Sequence, residues 1–149
     1  MFGTKALLFH CKRYMTEFDS FSNRPSSITP EELKEQKQEC DDCVAAFVTV
    51  EKKDQPVLVA RGLAEEIAKM CREVDRDKVV VVPFAHLSSR IAGSEKGLET
   101  LQLVEEKLKR HSPFGPKRKL NVKRAHFGSN KSLLLDVFGH AGNVRFREF

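Results

Sequence analysis

The chain has 149 residues and a formal net charge of +5, and 40% of its residues are hydrophobic and 32% charged. This composition predicts a globular protein, and the length predicts one domain over residues 1–149 with a buried core. No apolar run approaches the length of a membrane-spanning helix, which excludes a membrane-spanning protein. The amino-terminal segment has no small-residue cleavage site, so it predicts a first strand rather than a signal peptide, and a cytoplasmic location.

The first quarter of the chain predicts a strand, a loop and a polar helix. Residues 5–10, KALLFH, predict a short buried strand, and the Ser- and Pro-rich residues 20–30 predict a loop. Residues 29–32, TPEE, provide an N-cap threonine, a proline for the first helical position and a capping-box glutamate. This order predicts a polar helix that ends near Cys40.

The middle of the chain predicts a strand, a helix and a second strand. Residues 43–51, CVAAFVTVE, predict the first of these strands. From Val57 the apolar residues follow helical spacing, with one stripe formed by Ala60, Leu63, Ala64, Ile67, Ala68, Cys71 and Val74. Four consecutive valines at residues 79–82 then predict a strand that is buried on both faces.

The last third predicts one more helix and two strands. Ser94 is a candidate N-cap for a helix whose apolar face carries Leu98, Leu101, Val104 and Leu108. Residues 120–125 and 131–138 predict the two closing strands. Because strands and helices alternate along the chain, we predict an α/β fold with a β-sheet core and helices packed on it.

The familiar fingerprints of cofactor enzymes and hydrolases are missing. No GxGxxG, GxxxxGK[ST] or GxSxG sequence occurs, so we expect no nucleotide cofactor. Cys40 and Cys43 have the CxxC spacing of half a zinc site or of a redox pair. A second such pair is missing, and this pair ends the predicted polar helix, where no helix dipole favours a thiolate. Free thiols and no metal are therefore favoured.

The positive charge is concentrated in one short stretch of the sequence, PKRKLNVKR. The residues concerned are Lys117, Arg118, Lys119, Lys123 and Arg124. A run of charges is usually only a solvated face, but this asymmetry of sign favours a polyanionic partner, and RNA or DNA is the natural candidate.

Residues 79–89, VVVVPFAHLSS, run from a buried strand directly into a histidine flanked by small and hydroxylic residues. Pro83 ends the strand because proline cannot continue the ladder of hydrogen bonds. Two interpretations remain open at this point. One is a strand end followed by a capped helix, and the other is a pocket at the carboxyl end of a central strand.

Three segments resemble the N-terminal editing domain of archaeal threonyl-tRNA synthetases. They are PFAHLSS at residues 83–89, NVKRAHFGSNK at residues 121–131, and the Gly-His pair at residues 139–140. Residues 7–10 and 45–52 also match the first two strands of that family in character and order. The resemblance covers nearly the whole chain and is specific in PFAHLSS and in F-G-x-x-K.

The resemblance implies a fold similar to that of D-aminoacyl-tRNA deacylases, a homodimer, and hydrolysis of serine wrongly attached to threonine tRNA. The partner would be the mischarged tRNA, with a threonyl-tRNA synthetase catalytic body as a further candidate. A chain of 149 residues leaves no room for an aminoacylation core, so we expect an excised domain or a free-standing editing protein. The basic stretch would contact phosphates of the acceptor stem.

The resemblance gives Lys131 and His86 the principal roles. Lys131 matches the family lysine in F-G-x-x-K, whose ammonium can hold a water and offset negative charge near the ester. His86 matches the histidine after P-F-A, for which we expect shaping of the pocket and contact with the seryl group more than proton transfer.

The resemblance also implies two walls of the pocket. Pro83, Phe84 and Ala85 would form one wall, with main-chain carbonyls for the α-amino group of the substrate and Val50 opposite. Phe127 and Gly128 match residues that receive the terminal adenosine, and Asn130 stands where a family member can carry tyrosine.

Two histidines and one acidic position complete the comparison. His10 and His140 match in position and are expected to support the site from outside it. The family has an acidic residue shortly after the Gly-His pair, whereas the ungapped position here is about Val144 and the nearest acid is Glu148.

Two alternatives remain. A related deacylase that removes D-amino acids would share the fold, although Gly115-Pro116 lies in the basic loop rather than in a convincing chirality-checking context. A non-catalytic tRNA-binding module would retain the fold and the basic stretch.

Overall fold

The computed structural model describes residues 3–22 and 30–149, which form a mixed six-stranded sheet and two helices. The strands are β1 (Lys5–Phe21), β2 (Lys37–Thr49), β3 (Lys78–Pro83), β4 (Asn121–Arg124), β5 (Ser129–Val137) and β6 (Val144–Glu148). The helices are α1 (Pro56–Val74) and α2 (Ser94–Arg110). Neither of these helices is long and apolar enough to cross a membrane. The predicted α/β class, with helices on a sheet core, is confirmed.

The order and directions of the strands place the carboxyl ends of β2, β3 and β4 at one end of the sheet. The order is β4-β3-β2-β1-β5, and β6 pairs with the first part of β1. β3 is parallel to both β2 and β4, and the other pairs are antiparallel. Parallel neighbours need long crossover connections, and α1 and α2 provide them. The segments that follow β2, β3 and β4 therefore meet at the same end of the sheet.

The sheet bends sharply in the middle of β1 and β2. Tyr14 pairs with Cys40, and seven residues of straight strand from Cys40 to Phe47 would cover about 23 Å. The rings of Tyr14 and Phe47 nevertheless have centroids only 6.4 Å apart. The bend falls where the β1–β2 ladder is interrupted opposite Asp42, whose backbone is left-handed with φ 47°. The part of the sheet that contains Tyr14 and Cys40 therefore curls over the part that contains Phe47.

The valine strand is buried from both sides, as its sequence predicts. Val79 and Val81 face the cluster formed with α1 and α2, whereas Val80 and Val82 face the second cluster, with Phe47. All four valines are at most 3% exposed, because neighbouring side chains of a strand point to opposite faces. Burial on both faces therefore fixes the position at which β3 ends and residues 83–86, PFAH, begin.

The predicted polar helix before Cys40 is wrong. Residues 30–36 form no helix, and Lys37–Thr49 is strand β2. Thr29, the predicted N-cap, lies outside the described residues, as do residues 23–29 of the predicted loop. Pairing with β1, from Glu17↔Lys37 to Tyr14↔Cys40, overrides the local capping signal. The helix argument against a reactive Cys40-Cys43 pair is therefore wrong as well.

Other elements also differ from the prediction. β1 has 17 residues rather than six, and Gly93, not Ser94, is the N-cap of α2, with no side-chain cap. β6 was not predicted. In β6 the apolar Val144 and Phe146 are exposed, while Arg145 and Arg147, which alternate with them, bind acids of α1. This inverts the usual pattern of apolar residues inside and polar residues outside.

Candidate active site

A cavity of about 490 Å³ lies at the end of the sheet where β2 and β3 terminate. The curled part of β1, the start of α2 and the β4–β5 connection complete its wall. All nine residues predicted for catalysis and substrate binding line it: Val50, Pro83, Phe84, Ala85, His86, Phe127, Gly128, Asn130 and Lys131. Of the two interpretations of PFAHLSS, the pocket at a strand end therefore matches the geometry.

The PFAH wall is held by Thr49, a buried residue that the sequence analysis did not single out. The Phe84 N–H donates to the Val48 carbonyl at 2.9 Å. The Thr49 hydroxyl donates to the Phe84 carbonyl and accepts the Leu87 N–H at 3.3 Å. The chain is thus pinned on both sides of His86, whose ring centroid lies 4.9 Å from that of Phe84. One of the predicted main-chain acceptors, the Phe84 carbonyl, already carries this hydrogen bond.

The opposite wall depends on a close approach between two loops. Gly128 has φ +91°, and a Cβ there would lie 2.6 Å from Pro30 Cα, so glycine is needed both for its backbone and for its size. The ring of Phe127 packs against α2 near Gly97, where a Cβ would lie 3.4 Å from it. Phe127 is therefore partly a core residue and partly a cavity wall.

Glu31 anchors this wall. Its two carboxylate oxygens accept from Arg124 Nη1 at 2.6 Å and from Nη2 at 2.9 Å, and one also accepts the Phe127 N–H at 2.7 Å. Arg124 also donates from Nε to Glu105 at 3.0 Å. Burial alone would raise the pKa of Glu31, but the hydrogen bonds from Arg124 and Phe127 outweigh it, and the pKa is lowered.

Lys131 reaches the cavity from the start of β5. Its Nζ donates to the His126 carbonyl at 2.9 Å, to the Ser129 carbonyl at 3.3 Å and to the Ser129 hydroxyl at 3.2 Å. Burial lowers the pKa of Lys131, an effect that the nearby Glu31 carboxylate partly offsets. The site thus holds a partly desolvated amine at a fixed position in the wall, beside the space for a ligand.

Ser129, in the cavity wall, connects this network to His126, which does not line the cavity. Ser129 Oγ lies 2.8 Å from His126 Nδ1, and His126 Nε2 lies 2.8 Å from the Glu31 carbonyl oxygen. Ser129 lines the cavity, and neither residue was singled out from the sequence. In the sequence, the feature that could have indicated this contact was a serine three residues after a histidine.

His10 and His140 lie elsewhere. His10 Nδ1 is 2.7 Å from His140 Nε2, and His10 Nε2 is 3.0 Å from Asp42, so the pair ties β1 and β2 to the β5–β6 turn. Neither histidine lines the cavity, and neither does Val144 or Glu148. Glu148 faces Lys5 at 3.9 Å. These four residues therefore do not form part of the cavity wall.

The first part of the basic stretch, residues 117–119, lies at the end of the sheet opposite the cavity, whereas Arg124, at the carboxyl end of β4, binds Glu31 beside the cavity wall. Lys78 at the start of β3 pairs with Asn121 at the start of β4. This pair lies about 20 Å, measured along β3, from the end of the sheet that carries the cavity. Arg118 donates to Asp75 at 2.6 Å and to Asp77 at 2.9 Å, and the Arg124 side chain is only 13% exposed in its ion pairs. Phosphate contacts by these two arginines would require breaking such pairs.

The remaining predicted phosphate contacts are lysines. Lys117 and Lys119 are exposed, and Lys123 is exposed as well, although its Nζ also lies 3.4 Å from the Glu39 carbonyl oxygen.

The pKa values of Cys40, Cys43 and Cys71 are raised, which disfavours the reactive thiolate at these positions. Cys11, Cys40, Cys43 and Cys71 are free thiols. The pKa of Cys43 is raised to about 12, first by its hydrogen bond with Cys11 and then by burial, and that of Cys71 is raised to about 12 by burial. Over residues 3–22 and 30–149, no group of three or more His, Cys, Asp or Glu residues is placed to hold a metal ion.

A family model described as the archaea-specific editing domain of threonyl-tRNA synthetase matches residues 4–148. The chain belongs to this family. A threonine–tRNA ligase of Methanocaldococcus jannaschii is 33% identical over 138 residues, which are 91% of this chain and 20% of that protein. A threonine–tRNA ligase of Thermococcus onnurineus is 37% identical over 82% of this chain and 18% of its own length.

Another relative is named as a separate subunit. The threonine–tRNA ligase editing subunit of Saccharolobus solfataricus is 32% identical over 81% of this chain and 29% of its own length. The editing-domain family inferred from PFAHLSS and F-G-x-x-K is thus confirmed. The chain spans about a fifth of the ligases that it matches.

Proposed function

We propose that this editing domain hydrolyses serine from mischarged threonine tRNA and spares threonyl-tRNA. The observation that carries the proposal is the convergence of all nine predicted residues on one cavity in a chain of the editing-domain family. The relatives are named for threonine–tRNA ligation, in which serine is the natural error because it lacks only one methyl group. A missing methyl gives only about 1–3 kcal/mol of discrimination, so a second, hydrolytic site is needed.

The proposed mechanism needs little acid–base chemistry from side chains. An aminoacyl ester is already activated, so its hydrolysis needs a positioned water and a group that meets the charge developing on the carbonyl. Lys131 would hold the water and offset that charge, and the vicinal ribose hydroxyl of the tRNA would assist. His86 would contact the seryl group, and Phe127 with Gly128 would receive the terminal adenosine.

We propose Lys117, Lys119 and Lys123 as contacts to tRNA phosphates. The double variant Lys117→Ala with Lys119→Ala should weaken tRNA binding and reduce the slope of log affinity against log salt by about two, because each lysine releases about one counterion. Fluorescence titrations at several salt concentrations measure both quantities. Lys69→Ala, an exposed lysine of α1, is the control, and an unchanged slope in the double variant would contradict the assignment.

We propose a homodimer formed through β5 and β6. Both strands pair with β1 on the side opposite β2, and this edge exposes Leu133, Val144 and Phe146 by 46–48%. Exposed apolar groups at a free sheet edge favour association.

Phe146→Asp should therefore convert a dimer to a monomer in sedimentation equilibrium. Leu58→Asp, on α1 and 60% exposed, should leave the dimer intact. A monomeric wild-type protein, or a dimeric Phe146→Asp variant, would contradict the proposed interface.

The three candidate functions differ in which aminoacyl-tRNA the protein hydrolyses, if it hydrolyses one at all. Hydrolysis of D-aminoacyl-tRNA in preference to seryl-tRNA would identify the chirality-checking enzyme, and tight tRNA binding without hydrolysis would identify a binding module. A panel of L-seryl-, L-threonyl- and D-aminoacyl-tRNAs separates the three. We further propose that the domain works in the cytoplasm, as part of a threonyl-tRNA synthetase or beside its catalytic body.

A further inference from the structure

The loop after β3 forms part of the cavity wall but has few backbone hydrogen bonds. The Phe84 N–H donates to the Val48 carbonyl at 2.9 Å, and the next bond of this kind joins the Lys52 N–H to the Arg90 carbonyl at 3.0 Å. Within the described part of the chain, residues 85–89 make no backbone–backbone hydrogen bond. The backbone alone therefore does not fix the position of the residues in the middle of this loop.

Two buried side chains at the end of β2 hold the loop instead. The Glu51 carboxylate accepts from the Ser88 hydroxyl, and the Thr49 hydroxyl binds the backbone on both sides of His86. Glu51 is only 3% exposed and Thr49 only 1%. Glu51 thus fixes the far half of the loop, whereas Thr49 fixes the half that lines the cavity.

The Thr49 hydroxyl makes two hydrogen bonds of fixed direction. A carbonyl only accepts and an N–H only donates, so the hydroxyl donates to the Phe84 carbonyl and accepts the Leu87 N–H at 3.3 Å. The centroid of the Phe84 ring lies 5.4 Å from that of Phe47 and 4.9 Å from that of His86. The hydroxyl and the Phe47 ring together therefore determine where the His86 ring lies.

We infer that Thr49 is a positioning residue for the distinction between serine and threonine, an inference that rests on the proposed hydrolysis of seryl-tRNA. Threonine differs from serine by one methyl group, which affects the reaction only if the surrounding wall does not move to make room for it. A wall that yields would let the threonyl ester occupy the position of the seryl ester beside the water that Lys131 is proposed to hold. Misplacement of a reacting group by about 1 Å can cost about 100-fold in rate, so small shifts of this loop are sufficient.

Thr49→Val removes the hydroxyl and keeps the shape of the side chain. Phe84 and Leu87 are only partly buried, so water can reach the groups left unpaired and the variant should fold. In single-turnover reactions, the ratio of the maximal rates with seryl- and threonyl-tRNA should fall about tenfold, within the discrimination that one methyl group gives in a pocket. The enzyme concentration at half-maximal rate should change by less than about twofold, because contacts to the tRNA outside the loop remain.

Two further variants separate the hydroxyl from general packing. Thr49→Ser keeps the hydroxyl and should keep the ratio within about threefold of wild type. Thr100→Val removes the hydroxyl of another buried threonine, which donates to the Lys96 carbonyl at 2.8 Å within α2 and does not line the cavity. This control should leave the ratio unchanged, whatever it does to the melting temperature.

Amide hydrogen exchange tests the contact itself in the wild-type protein. The Leu87 N–H should exchange more slowly than the N–H of the exposed Ser89, which donates to no group in residues 3–22 and 30–149. Thr49→Val should remove this protection, whereas Thr49→Ser should retain it.

Three results would overturn the inference. They are an unchanged ratio in a folded Thr49→Val, even with both rates lowered, a ratio in Thr49→Ser as low as in Thr49→Val, and an unprotected Leu87 N–H in wild type. Melting curves identify misfolding, and the exchange of Leu87 in wild type does not depend on any variant. A wild-type protein that leaves seryl-tRNA intact while Leu87 is protected would instead overturn the proposed function itself.

Discussion

Replacing Lys131 with alanine should slow the removal of serine from threonine tRNA by about 100- to 1,000-fold, the usual cost of losing one donor that meets developing charge. The Nζ of Lys131 is held by three oxygen acceptors, at 2.9 to 3.3 Å. Because an ammonium has three N–H groups, a water or an oxyanion would take one of them from the longer Ser129 contacts while the charge stays in place. Burial lowers its pKa, and partial desolvation strengthens its interaction with an oxyanion.

Two variants separate charge from packing at this position. Lys131→Met keeps most of the aliphatic stem and should be as slow as Lys131→Ala if the ammonium is what matters. Lys69→Ala removes the same charge from the surface of α1 and should leave the rate unchanged. Single-turnover rates at saturating enzyme report the chemical step, and a Lys131→Ala rate within about threefold of wild type would show that Lys131 has no such role.

Glu31→Ala should lower the free energy of unfolding by about 3 kcal/mol, the lower end of the range for breaking a buried ion pair. The Glu31 and Arg124 side chains are only 20% and 13% exposed. Loss of the carboxylate leaves the guanidinium with Glu105 alone and leaves the Phe127 N–H without its acceptor. The Phe127–Gly128 wall should loosen too, so deacylation should become slower.

The same contact makes stability depend on pH. The folded-state pKa of Glu31 is below that of the unfolded chain, so its contribution is complete above the ordinary glutamate pKa of about 4.3 and is lost as pH falls through the folded value. Wild type and Glu31→Gln should therefore differ in urea unfolding at pH 7 and converge at acidic pH. Glu32→Gln changes an exposed neighbour and is the control. Equal stability of wild type and Glu31→Gln at pH 7 would refute the anchoring role.

Local patterns predicted the elements whose burial follows from their own sequence. The unbroken run of valines in β3 predicted a strand that is buried on both faces, and the apolar stripe of α1 has the spacing of a helix. The position of the cavity residues came from motifs, because PFAHLSS and F-G-x-x-K lie about 40 residues apart and no periodicity brings them together.

Long-range partners decided what was missed. TPEE has the order of a capping box, but Glu31 binds Arg124, 93 residues away, and Lys37–Cys40 pairs with β1. Thr49 and Ser129 are ordinary strand residues until the Phe84 carbonyl and His126 lie beside them. The arginines of β6 became interpretable only once α1 supplied their acids, Glu73 and Glu66.

The most direct test of the central proposal is single-turnover hydrolysis of seryl- and threonyl-tRNA, both on threonine tRNA, by this chain alone. Serine should be released rapidly and threonine at close to the uncatalysed rate, and Lys131→Ala should bring serine release toward that rate as well. Equal release of both amino acids would contradict the proposed specificity, and release of neither would contradict a self-sufficient deacylase.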